Sequence, residues 1–251
     1  MTATQHDSHR SRNHMLSILS ADDFALIEPN LEAIAMPRRH VIESPNQPIK
    51  HVYFPEGGIV SVVASTPREH QLEVALIGRE GMSGISVLLG DDRSANFTFV
   101  QIPGEGMRVT ADDLRAVVRK SPSMQRCFLR FAQAFMIQTS HTAMANGRAK
   151  VGERLARWLL MAQDRLDTNS LPLTHEFLAV MLGVRRASVT GALRLLKDRD
   201  LISTRRGSVT ILDYDGLKQL ADGLYGIPEA EYLRLTGWHP EPKPEPAAGE
   251  A

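Results

Sequence analysis

The sequence predicts an α+β fold in three parts: an N-terminal antiparallel β-roll of jelly-roll type, a long helix, and a C-terminal helical domain carrying a two-stranded wing. Three observations predict it. Between Arg39 and Val109 short β-rich runs are cut by glycine and proline. A stretch opened by Ser121-Pro122 then contains neither breaker until Gly147. Residues 174–212 read as a short helix, a glycine turn, a second helix and two short strands.

Composition bounds what such a chain can do. With 251 residues, 43% hydrophobic and 23% charged, it can bury a sizeable core. Its 29 basic side chains balance 29 acidic ones, so an anion-binding surface has to be local. No apolar run approaches the ~18 to 20 residues of a membrane span, and the polar start MTATQHDSHRSRNH lacks the apolar middle of a signal peptide. A cytoplasmic protein that stays off membranes is expected. The single cysteine, Cys127, rules out an internal disulfide and cysteine-rich metal sites, and is expected to fill core. The close set His6, His9 and His14 lies in the polar start, so no metal site is expected. Gly81-Met-Ser-Gly84 has part of a nucleophile elbow, but Ile85 stands where the second glycine is required. A Walker loop and a GxGxxG turn are both absent, and no enzyme is expected.

The elements follow in order. Residues 1–14 are polar and expected to be disordered. Residues 15–120 form the β-domain, with runs HVYF, GGIVSVV, LEVALIG and FTFVQI, and close on the helix ADDLRAVVRK capped by Thr110. Residues 121–146 form the long helix. Along it Met124, Phe128, Phe131, Phe135, Gln138, Thr142 and Ala145 recur at alternating spacings of four and three, the seam of a coiled coil. A second copy of the chain or the chain's own β-domain would cover this seam; Met124, Phe128, Phe131 and Phe135 are the dimerisation candidates. Asn146-Gly147 permits a break before 147–236, which opens on an amphipathic stripe of Val151, Leu155, Trp158 or Leu159, and Ala162. Residues 237–251 are a Pro-rich tail expected to be disordered.

The part after Leu171 raises a question of charge. Thr174 can cap a helix whose Phe177, Leu178, Met181 and Leu182 point inward, Gly183 supplies a left-handed turn, and Val184 plugs the corner. In the next helix Val189, Ala192, Leu193 and Leu196 make the buried stripe, leaving Arg186, Thr190, Arg194 and Lys197 opposite, with Arg185 at the entrance. Basic side chains are disfavoured at a helix N-terminus, which carries partial positive charge, so an anion is missing. Leu201 to Leu212 reads as two strands about an Arg206-Gly207 turn, completing a winged helix-turn-helix. From Leu171 to Thr210 seven basic residues face three acidic ones, a local excess that fits a phosphate backbone. The DNA-facing set is Thr174, His175, Arg185, Arg186, Ser188, Thr190, Arg194, Lys197, Arg205 and Arg206.

The order β-domain, long helix, winged helix, together with LTHEFLAVMLGVRRASVTGALRLLKDRDLI, resembles the Crp/Fnr family of bacterial transcription regulators from about Leu16 to Ala221. The resemblance implies a cyclic-nucleotide-binding-type β-roll as sensor, and a homodimer on a two-fold symmetric stretch of double-stranded DNA. RNA polymerase would be a further partner if the protein activates. Arg186 falls at the family's base-reading arginine, implying a bidentate contact to guanine O6 and N7. The glutamate that follows in cyclic-AMP-responsive members is Ala187, and their second reading arginine falls at Gly191, so the preferred operator should differ from theirs. A competing class is a ligand-sensing module with the same β-roll that never reads DNA; the basic helix face and wing count against it.

The same resemblance addresses a ligand. GREGMSGISVLLGDDRSAN is similar to the family's phosphate-binding cassette, with Gly84 in it and Arg93-Ser94 at the pair that holds a cyclic phosphate; Thr139-Ser140 match the pair that meets adenine. Against this, the ribose-holding glutamate aligns with Ile85, and the long-helix arginine falls at Phe135. Polar groups left unpaired in such a pocket cost ~1 to 3 kcal/mol each. The reading is a degenerate pocket in which a surface pairing of Arg93 with Asp91 or Asp92 competes with ligand.

Overall fold

A computed structural model describes residues 11–66 and 71–240. Two short helices, α1 (His14–Ser17) and α2 (Ala21–Ile27), lead into β1 (Glu32–Met36), β2 (Val41–Glu43), β3 (His51–Pro55), β4 (Ile59–Ser65) and β5 (Gln71–Ile77). The turn of helix α3 (Ile85–Leu88) precedes β6 (Phe97–Ile102) and β7 (Gly104–Thr110). Three helices follow, α4 (Ala111–Lys120), α5 (Pro122–Arg148) and α6 (Val151–Arg165). The rest comprises β8 (Ser170–Leu171), α7 (His175–Leu182), α8 (Arg186–Lys197), β9 (Ile202–Arg205), β10 (Ser208–Ile211), α9 (Tyr214–Leu220) and α10 (Ile227–Thr236).

The roll is two antiparallel sheets, ordered β1-β7-β3 and β2-β6-β4-β5. Their facing sides enclose Met36, Tyr53, Val60, Val62, Ala75, Ile77 and Val100. The runs rich in Val, Ile and Phe became β3 to β6, as their β-branched and aromatic content predicts. The β-region is wider than the predicted Arg39 start, because β1 precedes it. Strand β7 is rich in glycine for a packing reason: a Cβ on Gly104 would sit 2.2 Å from the Gly57 carbonyl oxygen, and one on Gly106 2.5 Å from that of Phe54.

Helix α5 begins as read, with Ser121 Oγ accepting from Met124 N at 3.1 Å and Pro122 in the first turn. It does not break at Asn146-Gly147 but runs to Arg148, and the chain turns at Ala149-Lys150. The larger correction concerns its seam. Met124, Phe128 and Phe131 are fully buried within the chain itself, Phe128 against Phe54 (5.9 Å between centroids) and Phe131 against Tyr232 (6.2 Å). Phe135 is half-buried beside Phe131. Met124, Phe128 and Phe131 therefore face the chain's own roll and α10 and leave no surface for a second copy, whereas Phe135 keeps part of its surface exposed.

The first and last described segments, 11–14 and 237–240, differ from the expected disorder. Residues 1–10 and 241–251 lie outside the described residues, but Ser11 to His14 do not behave as a disordered arm. Asn13 is fully buried, caps α1, and donates to the carbonyls of Pro55 and Gly81 at 2.8 Å each. At the other end Trp238 is 5% exposed, packed on Tyr232 and over Arg165. Helix α10, assigned from sequence to the C-terminal domain, lies along α5, where Gln138 Nε2 donates to the Tyr232 hydroxyl at 3.2 Å.

Candidate nucleic-acid interface

Helix α6 is buried along nearly its whole length from Leu155 to Arg165, beyond the single stripe its spacing suggests. It is the floor on which α7, α8 and α9 pack, in one core with β10 and with Ile59, Val63 and Leu76 of the roll. Polar contacts tie the two parts together. Glu73 on β5 is buried, accepts from Trp158 Nε1 at 2.5 Å and from Ser61, and burial pushes its carboxyl up to about 8. The Arg165 guanidinium, 2% exposed, pairs with the buried Glu80 at 2.8 Å.

The reading head forms as its residues dictate. Thr174 Oγ1 accepts from Phe177 N at 3.2 Å, capping α7. Gly183 ends it in the left-handed region (φ 59°, ψ 38°), and Val184 N donates back to the Ala179 carbonyl at 3.0 Å. A side chain at Gly183 would be strained by that φ and would also meet Leu72 of the roll at 2.7 Å. Helix α8 buries Val189, Ala192, Leu193 and Leu196, so that one face stays out. On that face Arg185, Arg186, Ser188, Thr190, Arg194 and Lys197 are all exposed, with Thr174 beside them and His175 half-buried. The wing is the hairpin β9–β10, extended by β8, and it presents Arg205 and Arg206 at its tip beside Gly207 (φ 77°).

Within this set the local partners are few. Arg185 stands at the N-cap of α8 with no side-chain cap, leaving the first N–H groups open to an external anion. Arg186 Nη1 lies 2.8 Å from Glu176 Oε1, both largely exposed. His175 Nδ1 meets Thr190 Oγ1 at 3.1 Å. Arg194 is 3.6 Å from Asp198. Exposed pairs of this kind contribute little to stability and are readily exchanged for another anion. Glu176 is the residue that sequence reasoning missed; its spacing to Arg186 becomes contact only once the turn at Gly183 brings α7 against α8.

The residues matched to a phosphate cassette lie apart from this face. Gly84 N donates to Glu43 Oε1 at 2.7 Å, and the Ser94 hydroxyl interacts with the same carboxylate. Glu43 is 8% exposed, and burial raises its carboxyl above the usual range against the pull of those bonds and of Thr98. Arg93 is largely exposed and pairs with Asp92 at 3.2 Å. The Thr139 and Ser140 hydroxyls donate to the carbonyls of Phe135 and Met136 on their own helix, both at 2.9 Å. Among the described residues no helix is long and apolar enough to cross a membrane.

Comparison with known proteins agrees with this geometry. Residues 153–220 match the Crp-like helix-turn-helix domain. Two similar curated proteins are both named global nitrogen regulator. The one from Nostoc sp. is 24% identical over 69% of this chain and 82% of the relative. The one from Synechocystis sp. is 23% identical over 72% and 85%. Among solved structures, FixK2 from Bradyrhizobium japonicum superposes with a TM-score of 0.67 at 15% identity, covering 76% of this chain and 96% of that one. A transcriptional regulator of the CRP/FNR family from Thermus thermophilus gives 0.62 at 19%, covering 76% and 99%. The superpositions establish the fold, and the helix-turn-helix match falls on the elements that carry the basic face.

Proposed function

We propose that this chain, a DNA-binding transcriptional regulator of the Crp/Fnr type, reads a two-fold symmetric operator as a homodimer, with Arg186 at a guanine and the surrounding basic residues on phosphates. The observation that carries the reading is the exposed face of α8, whose uncapped N-terminus and Arg185 call for an anion and whose Arg186 is held by the exposed, exchangeable Glu176. Sequence is read by base edges and register by phosphates, so Arg186 would set specificity while Arg185, Arg205 and Arg206 would set affinity. A DNA-bound role implies a cytoplasmic location, and activation would add RNA polymerase as a partner.

For the dimer we assign the side of α5 that faces away from the roll. Leu129, Met136 and Met144 are exposed there, with Gln133, Ser140 and Ala143 between them. Leu129, Gln133, Met136, Ser140 and Ala143 alternate at spacings of four and three, a second seam on the outer side. Two copies meeting on it would carry two reading heads related by a two-fold axis, matching a palindrome.

The cyclic-nucleotide pocket is degenerate in this reading. Glu43 occupies the Gly84 amide and interacts with the Ser94 hydroxyl, two groups that would otherwise serve a phosphate, and an ionised Glu43 would repel one. Selection of bound duplexes from a random-sequence pool by the purified full chain tests the function. A palindromic consensus with a guanine in each half-site supports it, and recovery of unselected sequence counts against it.

A further inference from the structure

A cavity of about 510 Å³ lies between the roll and α7, a size that suits small organic ligands. Arg38 and Arg39 from the β1–β2 turn, with Phe99 and Gln101 from β6, line one side, and Phe177 and Val180 from α7 line the other. The turn that presents the arginines is held firmly. Arg39 sits in the left-handed region (φ 67°), strained for a side chain of its kind, and its N–H donates to the Val100 carbonyl at 2.8 Å. Neither guanidinium is in an ion pair among the described residues, and the polar contact of Arg38 is a long 3.5 Å to the Pro172 carbonyl. Gln101 is 4% exposed, and its Nε2 has no acceptor among the described residues. Phe177 is braced edge-on by Trp158 at 6.3 Å.

Two guanidinium forks outside any ion pair among the described residues match the geometry of a carboxylate or phosphate, and the one carboxylate in the lining, Glu176, is held by Arg186. Phenyl rings on opposite walls suit a flat apolar body between them. We propose that this cavity binds an organic anion that carries a carboxylate or phosphate on such a body, and that the bound ligand bridges the roll to the first helix of the helix-turn-helix. The site shares no residue with Gly84, Arg93, Ser94, Thr139 or Ser140. Because roll and α7 each supply a wall, the ligand favours the arrangement in which the two are docked, and shifts that equilibrium only by its preference for it. Glu176 also lines the cavity while pairing with Arg186, so the ligand would lie one side chain from the reading face.

The test is calorimetric titration of the full chain, without DNA, with phenyl phosphate, phenylacetate, inorganic phosphate and benzyl alcohol. The better of the two phenyl anions is expected to bind at least about tenfold more tightly than inorganic phosphate or benzyl alcohol, and which one it is identifies the headgroup. Arg38→Glu combined with Arg39→Glu should abolish that binding, and the corresponding pair of lysine substitutions should retain part of it. Both arginines are exposed, so an unchanged melting temperature verifies that the variants are folded. Absence of binding by both phenyl anions up to about 10 mM, undiminished binding by the double glutamate variant, or equal binding of benzyl alcohol would overturn the proposal. With DNA left out, these outcomes leave the DNA-binding reading untouched.

Discussion

Arg186 on α8 lies 2.8 Å from Glu176 on α7, so the arginine proposed to read a base is held by a carboxylate on the same exposed surface. The pair links two helices across the Gly183 turn. A carboxylate beside phosphates repels them, yet it also limits the orientations of the guanidinium fork. Glu176→Gln is therefore expected to raise affinity for duplexes of any sequence while reducing discrimination between operator and random DNA. Titration of both duplexes over a range of salt checks this, and unchanged affinity for both would remove Glu176 from the account.

The outer side of α5 is the predicted dimer surface. Met136 is 52% exposed, so Met136→Glu should leave the fold intact and give monomers that hold the palindrome no better than they hold a single half-site. Phe128→Glu should instead unfold the roll, because Phe128 is fully buried against Phe54. Sedimentation and circular dichroism on the two variants separate these outcomes. A folded, monomeric Phe128→Glu beside a dimeric Met136→Glu would reverse the assignment.

Cyclic nucleotides are expected to do little. With Gly84 and Ser94 engaged by Glu43, and Arg93 on Asp92, operator binding should need no added nucleotide and should change less than about threefold at millimolar cyclic AMP or cyclic GMP. Micromolar binding that depends on Arg93 and raises operator affinity tenfold, on the order of 1.4 kcal/mol, would show a working pocket.

Stability should fall as pH rises toward about 8. The Glu73 carboxyl is raised from 4.5 to about 8 by burial, so the folded chain holds that proton more tightly than the unfolded chain, and the stabilisation is lost as pH climbs through this window. Asp164, raised to about 6, acts in the same sense but lower, and His14 and His51 are lowered from 6.5. Above about pH 6.5 the slope therefore belongs mainly to Glu73. Glu73→Gln should flatten the melting temperature between about pH 6.5 and 8; an unaltered slope would mean that Glu73 is ionised in the fold.

The reading head was legible because its signals are local. Thr174, Gly183 and the stripe Val189, Ala192, Leu193 and Leu196 each act within a few residues. Strands β3 to β6 were legible from their β-branched runs, whereas β1 and β7 were not: β1 is the alanine-containing EAIAM, and the glycines of β7 answer to close backbone approach. The direction of α5 was not legible because the helix is apolar on more than one side: Phe128 and Phe131 inward, Leu129 and Met136 outward. Periodicity locates a stripe and leaves open what covers it. Helix α10 has a weak pattern, and Tyr232 and Trp238 are buried only through partners far along the chain, Phe131, Gln138 and Arg165. Glu43 meets Gly84 and Ser94 through the fold of the roll, which no spacing announces.

The most direct test of the central claim compares wild type with Arg186→Ala and Arg185→Ala on the selected operator and on a scrambled duplex at one physiological salt concentration. Arg186→Ala should lose about 1 to 3 kcal/mol on the operator and little on the scrambled duplex. Arg185→Ala should weaken both alike and lower the salt slope by about one. If Arg186→Ala binds the operator as tightly as wild type, the face of α8 is not what reads the sequence.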